Sequence, residues 1–260
     1  MGSALSDAAV VLRAAGLSDA RREALRIWDD LGGDTVRFHG AIARRAEGEP
    51  LPYVTGLSGF RHLTLRADRR ALIPRPETEG LVDLVLRRAC TGCIADVGTG
   101  SGCIALSLAQ EGGYTSVLAI DRSAPALELA RENARGQGIS IQSVRADLTT
   151  ALAARSLDAL VSNPPYLTSR EYHELDAGVR AWEPMEALDA GLEGMDVIVP
   201  LLQDGLRVLR PGGWLALELD ARRARECARR AAASGWEDVS IQPDLFGRDR
   251  YLLARRSITP

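Results

Sequence analysis

Asn163-Pro164-Pro165-Tyr166 is the stretch whose residue types and spacing could do chemistry. It follows Leu157–Ser162, which reads as a short buried strand. Two consecutive prolines have no N–H to give to a sheet and end that strand. Asn163 precedes a proline and is held extended. A carboxamide and two stiffened backbone carbonyls are therefore presented at the carboxyl end of a strand, the edge where open parallel sheets bind ligands. Taken alone, the four residues read equally well as a strand-ending turn.

Three strand ends upstream give the motif its context. Asp96-Val97-Gly98-Thr99-Gly100-Ser101-Gly102 closes one strand and opens a helix, and alternate glycines let backbone turn tightly and approach a ligand. The dinucleotide pattern G-x-G-x-x-G would need glycine at Cys103, and a phosphate loop would need a lysine that the chain lacks. The next strand ends in Ala119-Ile120-Asp121, where an acid suits a ribose diol, although Asp121 could also cap the following helix. The third ends in Ala146-Asp147-Leu148, where Asp147 could accept from an adenine amine and Leu148 could pack on the ring. Together they indicate a nucleoside without a phosphate, and S-adenosyl-L-methionine fits. The candidate cofactor contacts are Gly98, Thr99, Gly100, Ser101, Gly102, Asp121, Asp147, Leu148 and Asn163.

These residues need a parallel sheet to hold them. From Ile94 the pattern alternates strand and helix, which predicts a doubly wound, seven-stranded Rossmann-like α/β domain. The expected strands are Ile94–Val97, Ser116–Ile120, Ser143–Arg145, Leu157–Ser162, Trp214–Leu219, Glu237–Ile241 and Tyr251–Ala254, the last two antiparallel. The expected helices are Cys103–Gln110, Ala124–Arg135, Met195–Leu209 and Arg222–Ala233, with Pro211-Gly212-Gly213 a tight turn. Residues 1–50 read as a small helical module. Ser18 is expected to cap a helix carrying Ala20, Ala24, Leu25, Trp28 and Leu31, and a second helix runs from Val36 to Ala46. Residues 51–73 read as a β-hairpin connector built from Tyr53–Gly56, Leu63–Leu65 and Leu72-Ile73. Leu72–Glu79 is then a stiff proline-bearing segment, with Glu77 or Thr78 opening a helix. Residues 74–260 form the main domain.

Composition narrows the function. The hydrophobic fraction is 46%, enough for a proper core, and the net charge is −3, which gives no dominant nucleic-acid footprint. The absence of lysine excludes Schiff-base chemistry. Cys90 and Cys93 have C-x-x-C spacing without a second pair, and His39, His62 and His173 are scattered, so no metal site is expected. No apolar run suits a membrane span and no signal peptide is evident, so a cytoplasmic protein is expected, acting as a monomer.

From about Ala15 to Arg255 the chain resembles the release-factor glutamine methyltransferases. Leu72–Glu79 (LIPRPETE), Gly98–Gly102 (GTGSG), Ser162–Tyr166 (SNPPY), Val179–Pro184 (VRAWEP) and Gly247–Arg250 (GRDR) carry the resemblance. It implies methyl transfer to the glutamine of the Gly-Gly-Gln motif in class I peptide-chain release factors. It places Asn163, Pro164, Pro165 and Tyr166 around that side chain and makes the helical N-terminus a docking module. An amide nitrogen is a poor nucleophile. The Asn163 side-chain oxygen and the Pro164 carbonyl are expected to accept its two hydrogens and aim it at the methyl group. Three features depart from the family pattern: a shorter N-terminal module, Glu218-Leu219-Asp220 followed by Arg223 in place of Glu-Ile-Gly and a later glutamine, and Gly191–Met195. The rival acceptors are a ribosomal-protein glutamine and an adenine amine in nucleic acid. An interaction protein that only binds S-adenosylmethionine is the non-enzymatic reading, and a nicotinamide oxidoreductase is disfavoured by Cys103.

Overall fold

The computed structural model describes residues 2–89 and 91–258. Three helices come first: α1 (Gly2–Ala14), α2 (Ala20–Asp30) and α3 (Thr35–Ala46). Their facing stripes bury Leu12, Ala20, Ala24, Ile27, Leu31, Phe38, Ala41 and Ile42 in a small core of their own, with Trp28 edge-on to Phe38. Leu25, expected on this stripe, faces solvent, and Ile27 takes the inward position. Ser18 is not the cap of α2. Asp19 holds that position without a side-chain bond, whereas Asp34 caps α3 by accepting from the Val36 and Arg37 N–H groups.

The connector differs from expectation in detail. Tyr53–Gly56 is not a strand. It belongs to the short helix α4 (Leu51–Thr55), stopped by Gly56 in the left-handed region, and its Val54 completes the N-terminal core. Proline at Pro50 and Pro52 favours a helical first turn over a strand. The hairpin pairs β1 (Leu57–Phe60) with β2 (Leu63–Arg66), and Leu72-Ile73 lies outside it. α5 (Pro76–Arg88) opens on Pro76, with Arg75 rather than Glu77 or Thr78 at the cap position. Proline suits that place because its missing N–H would have no partner there, and this leaves the Thr78 side chain free for another contact.

The main domain then runs β3 (Thr91–Val97), α6 (Cys103–Glu111), β4 (Gly113–Asp121), α7 (Ala124–Gln137), β5 (Gln142–Arg145), β6 (Leu157–Ser162), α8 (Ser169–Glu174), α9 (Ala177–Trp182), α10 (Ile198–Val208), β7 (Leu209–Glu218), α11 (Ala221–Ala233), β8 (Trp236–Pro243) and β9 (Asp249–Arg256), with all seven expected strands present and the short helices α8 and α9 unexpected. The sheet order is β5-β4-β3-β6-β7-β9-β8, parallel except where β9 inserts antiparallel to both β7 and β8. Helices cover both faces, so β3 and β6 read as near-continuous apolar runs. Pro211-Gly212-Gly213 is a bulge inside β7 instead of a turn before it. Leu157 pairs with Leu209 but Ala159 with Trp214, so Arg210–Gly213 bow out opposite Asp158. Asp158 holds the bulge by accepting from the Arg210 guanidinium and from the Cys93 N–H. Cys90, the other half of the C-x-x-C pair, lies outside the described residues.

The hairpin is fastened to the sheet by Asn133 of α7, which is buried. Its side-chain oxygen accepts from Arg66 N (2.7 Å), and its amide donates to the carbonyls of Arg66 (3.2 Å) and Ser101 (2.9 Å). One side chain thus ties β2 to the glycine loop. Asn133→Ala leaves these buried groups unpaired, and we expect a loss of about 2 kcal/mol in unfolding free energy, measured by urea denaturation.

Candidate active site

The carboxyl ends of β3, β4, β5 and β6 open on a cavity of about 1690 Å³. Its wall includes Gly98, Thr99, Gly100, Ser101, Asp121, Asp147, Leu148, Asn163, Pro164 and Pro165. Sequence-predicted residues from four strand ends therefore meet in one place. Gly102 and Tyr166 stand off the wall. Gly102 begins α6 against Ala130, and Tyr166 packs on the main apolar cluster between sheet and helices.

The glycine loop is held from two sides. The N–H groups of Gly98 and Thr99 donate to the Ile120 carbonyl (2.8 and 2.9 Å), which ties the loop to β4. Below it, buried Asp96 accepts from the Thr99 hydroxyl (2.6 Å) and the Ala105 N–H (3.2 Å). Gly98, Gly100 and Gly102 have φ of +73°, +54° and +85°, backbone that disfavours any side chain. A Cβ on Gly102 would stand 3.1 Å from that of Ala130. Asp121 does not cap α7; Ser123 does. The Asp121 carboxylate instead accepts from Gly100 N and Ser123 N, both at 2.9 Å, and keeps lone pairs for a diol. Leu148 sits at φ +49° beside exposed Asp147. A glycine-lined cradle, a fixed carboxylate and an apolar residue over the next strand end suit a nucleoside.

The wall opposite the sheet is built by residues to which the motif reading gave no individual role. Glu183 of the VRAWEP segment is buried, takes the Arg75 guanidinium at 2.5 Å and accepts from Ile73 N at 3.3 Å. Arg69 lies 4.0 Å over the Trp182 ring, and the Tyr53 hydroxyl donates to the Ala71 carbonyl (2.8 Å). The two proline-rich motifs thus brace each other as one wall; the only sequence signal for this was an acid and a base in separate rigid segments. Behind Asn163, its side-chain nitrogen donates to the Thr78 hydroxyl (3.0 Å), which donates to Glu218 (2.7 Å) at the end of β7. Ser162 locks the base of the loop by donating to the Val97 carbonyl at 2.6 Å. Burial pushes the Glu218 carboxyl up to about 7, against the opposing pull of the Thr78 hydroxyl and Arg250.

The chain matches the model of the methyltransferase small domain over residues 78–179. It is 41% identical to the release factor glutamine methyltransferase of Deinococcus radiodurans, over 90% of this chain and 84% of that protein. It is 37% identical to the corresponding protein of Cereibacter sphaeroides, over 97% of this chain and 91% of the relative. A crystal structure of a methyltransferase from Pyrococcus furiosus shares the fold, with a TM-score of 0.57 at 20% identity over 76% of this chain and 90% of the other. Fold, cavity and family model together define a methyltransferase, of the class that uses S-adenosylmethionine. Within that class, the chain belongs to the release factor glutamine methyltransferase family.

Burial also pushes Asp96 up to about 7, far above a free aspartate. The folded protein then holds a proton there that the unfolded chain has already lost above about pH 4. This contribution to stability is full below pH 4 and is lost as pH rises through 7. Asp96→Asn cannot titrate and keeps the acceptor for Thr99. Its unfolding free energy should therefore gain on the wild type between pH 4 and 7 in denaturant titrations.

Proposed function

We propose that this protein transfers the methyl group of S-adenosylmethionine to the side-chain nitrogen of a glutamine, the one in the Gly-Gly-Gln motif of class I release factors. The observation that carries this reading is the convergence of Asn163, Pro164 and Pro165 with the glycine loop and Asp121 on one cavity. The family membership of the chain supports the choice of acceptor. S-adenosylmethionine supplies an electrophilic methyl group on a cationic sulfur. Gly98–Gly102, Asp121, Asp147 and Leu148 would hold its nucleoside, with Asp121 accepting from the ribose diol.

The protein's own part is to bind and orient. The Asn163 oxygen and the Pro164 carbonyl accept the two amide hydrogens of the glutamine. This fixes the plane of the amide and offsets positive charge as it develops on nitrogen. Pro165 stiffens the loop, and Tyr166 anchors it to the core. Methyl transfer leaves a cationic, strongly acidic amide nitrogen, which then loses its proton to water. Residues 1–50 would dock the release factor, with the hairpin and the Arg75–Glu183 wall joining them to the cavity. None of the described helices is long and apolar enough to cross a membrane. The reading is of a cytoplasmic monomer.

Purified protein should label a class I release factor from methyl-labelled S-adenosylmethionine, and Gln→Ala in the Gly-Gly-Gln motif should abolish the label. Asn163→Ala should lower kcat by about 100-fold or more. Asp121→Ala should weaken cofactor binding by about tenfold or more, because a buried diol loses its acceptor. Turnover of Asn163→Ala at the wild-type rate would overturn the assigned role.

A further inference from the structure

An asparagine amide can present either its oxygen or its nitrogen, and only one suits a carboxamide substrate. We infer that Thr78 and Glu218 are positioning residues that hold the Asn163 amide with its oxygen toward the substrate, and so set a preference for a glutamine over a glutamate side chain. The inference rests on the proposed function and deepens it.

The donors along the chain Glu218–Thr78–Asn163 fix its orientation. Glu218 is 1% exposed, and Thr78 is 2% exposed. An ionised carboxylate only accepts. Thr78 has one proton, and at 2.7 Å it gives that proton to Glu218. Its oxygen can then only accept from Asn163, at 3.0 Å, so the Asn163 NH₂ faces Thr78. The Asn163 oxygen is turned the other way, and Asn163 lines the cavity. A glutamine NH₂ arriving there finds an acceptor; a glutamate carboxylate finds lone pairs against lone pairs. Rejection of this kind is strong because a buried polar group would be left unpaired.

The chain has a second state. When Glu218 takes a proton, its hydroxyl can donate to Thr78. The Thr78 hydroxyl is then free to donate to the flipped Asn163 oxygen, leaving the NH₂ toward the substrate. The groups facing Glu218 from the elements around it are Glu77 and Arg75 at the start of α5, Arg250 and Tyr251 of β9, Tyr166 after β6 and Cys103 of α6. Arg250 and Arg75 favour the ionised form, whereas burial and Glu77 oppose it. The balance near 7 puts the changeover in the neutral range. The glutamine-selective state is the one above it.

The test uses the full chain, a Gly-Gly-Gln peptide and the same peptide with glutamate. Binding is titrated with S-adenosylhomocysteine present, alongside methyl transfer to the release factor. At pH 8.5 the wild type should favour the glutamine peptide by about tenfold or more, and the preference should decline as pH falls through 7. Thr78→Val should lose the preference at every pH and lose kcat by about tenfold or more at unchanged cofactor affinity. Thr78→Ser should restore both. Glu218→Gln, which cannot titrate, should show a preference that no longer changes with pH. A Thr78→Val protein with wild-type preference and kcat, or a Glu218→Gln protein whose preference tracks pH as the wild type does, would overturn the inference. If Thr78→Val does not fold, the Glu218→Gln profile decides alone. A wild type that methylates neither the glutamine peptide nor the release factor while still binding cofactor overturns the proposed function itself, a distinct result.

Discussion

Where a sheet is covered on both faces, the strand ends are where backbone polar groups must find partners and where a ligand can reach them. Here that demand is met by buried or half-buried carboxyls. Asp96 sits under the glycine loop, Asp121 fixes Gly100 and Ser123, Glu183 fixes Ile73 and Arg75, and Glu218 fixes Thr78 and through it Asn163. Each turns a loop that could wander into a fixed surface. The cost is desolvation, which shows as Asp96 and Glu218 both pushed up to about 7. A carboxyl near neutral in these positions is the consequence of using burial to hold loops still.

Much of the sheet was legible in the sequence because a buried parallel strand has a plain signature. Leu157–Ser162 was predicted to the residue, and the helices expected from Cys103 and Ala124 begin there, although Ser123 rather than Asp121 caps the second. The misreadings have physical causes. Tyr53-Val54-Thr55 is rich in strand formers, yet Pro50, Pro52 and the docking of Val54 into the N-terminal core make it helical. Pro211-Gly212-Gly213 has turn chemistry, but Asp158 and Arg210 hold it as a bulge within the strand. Helix α1 carries alanines and valines with a weak apolar stripe, and no periodic pattern marked it.

The cavity-lining residues of the motifs were legible one strand end at a time; their supports were not. LIPRPETE and VRAWEP are more than 100 residues apart, and nothing in either stretch says that Glu183 reaches Arg75 and the Ile73 N–H. The same holds for Thr78 and Glu218, where a helix-start threonine and a strand-end acid each have an ordinary local explanation. Only the topology, which places α5 over the ends of β6 and β7, makes them one chain with Asn163. Long-range pairs of this sort have no spacing signature. They were visible in sequence only as rigid, charged segments without an assigned partner.

The departure at Glu218-Leu219-Asp220 and Arg223 then has a structural reading. Asp220 caps α11 through Arg222 N, and Arg222 and Arg223 both reach Glu171, at 2.6 and 2.5 Å. Glu171 is half of the capping box that starts α8, five residues beyond Tyr166. Arg223 also donates to the Glu193 carbonyl, in the second segment that departs from the family pattern. An isolated surface ion pair would add little. Here Arg223 is only 13% exposed and joins two loops and a helix start, so the network restrains the exit of the Asn163–Tyr166 turn. The acid end of β7, Glu218, still reaches Thr78. The two departing segments therefore contact each other, while Gly191 also lines the cavity and Glu218 supports Asn163. The residues that differ from the family pattern on both sides of the Asn163–Tyr166 turn are thereby tied into one network with the start of α8.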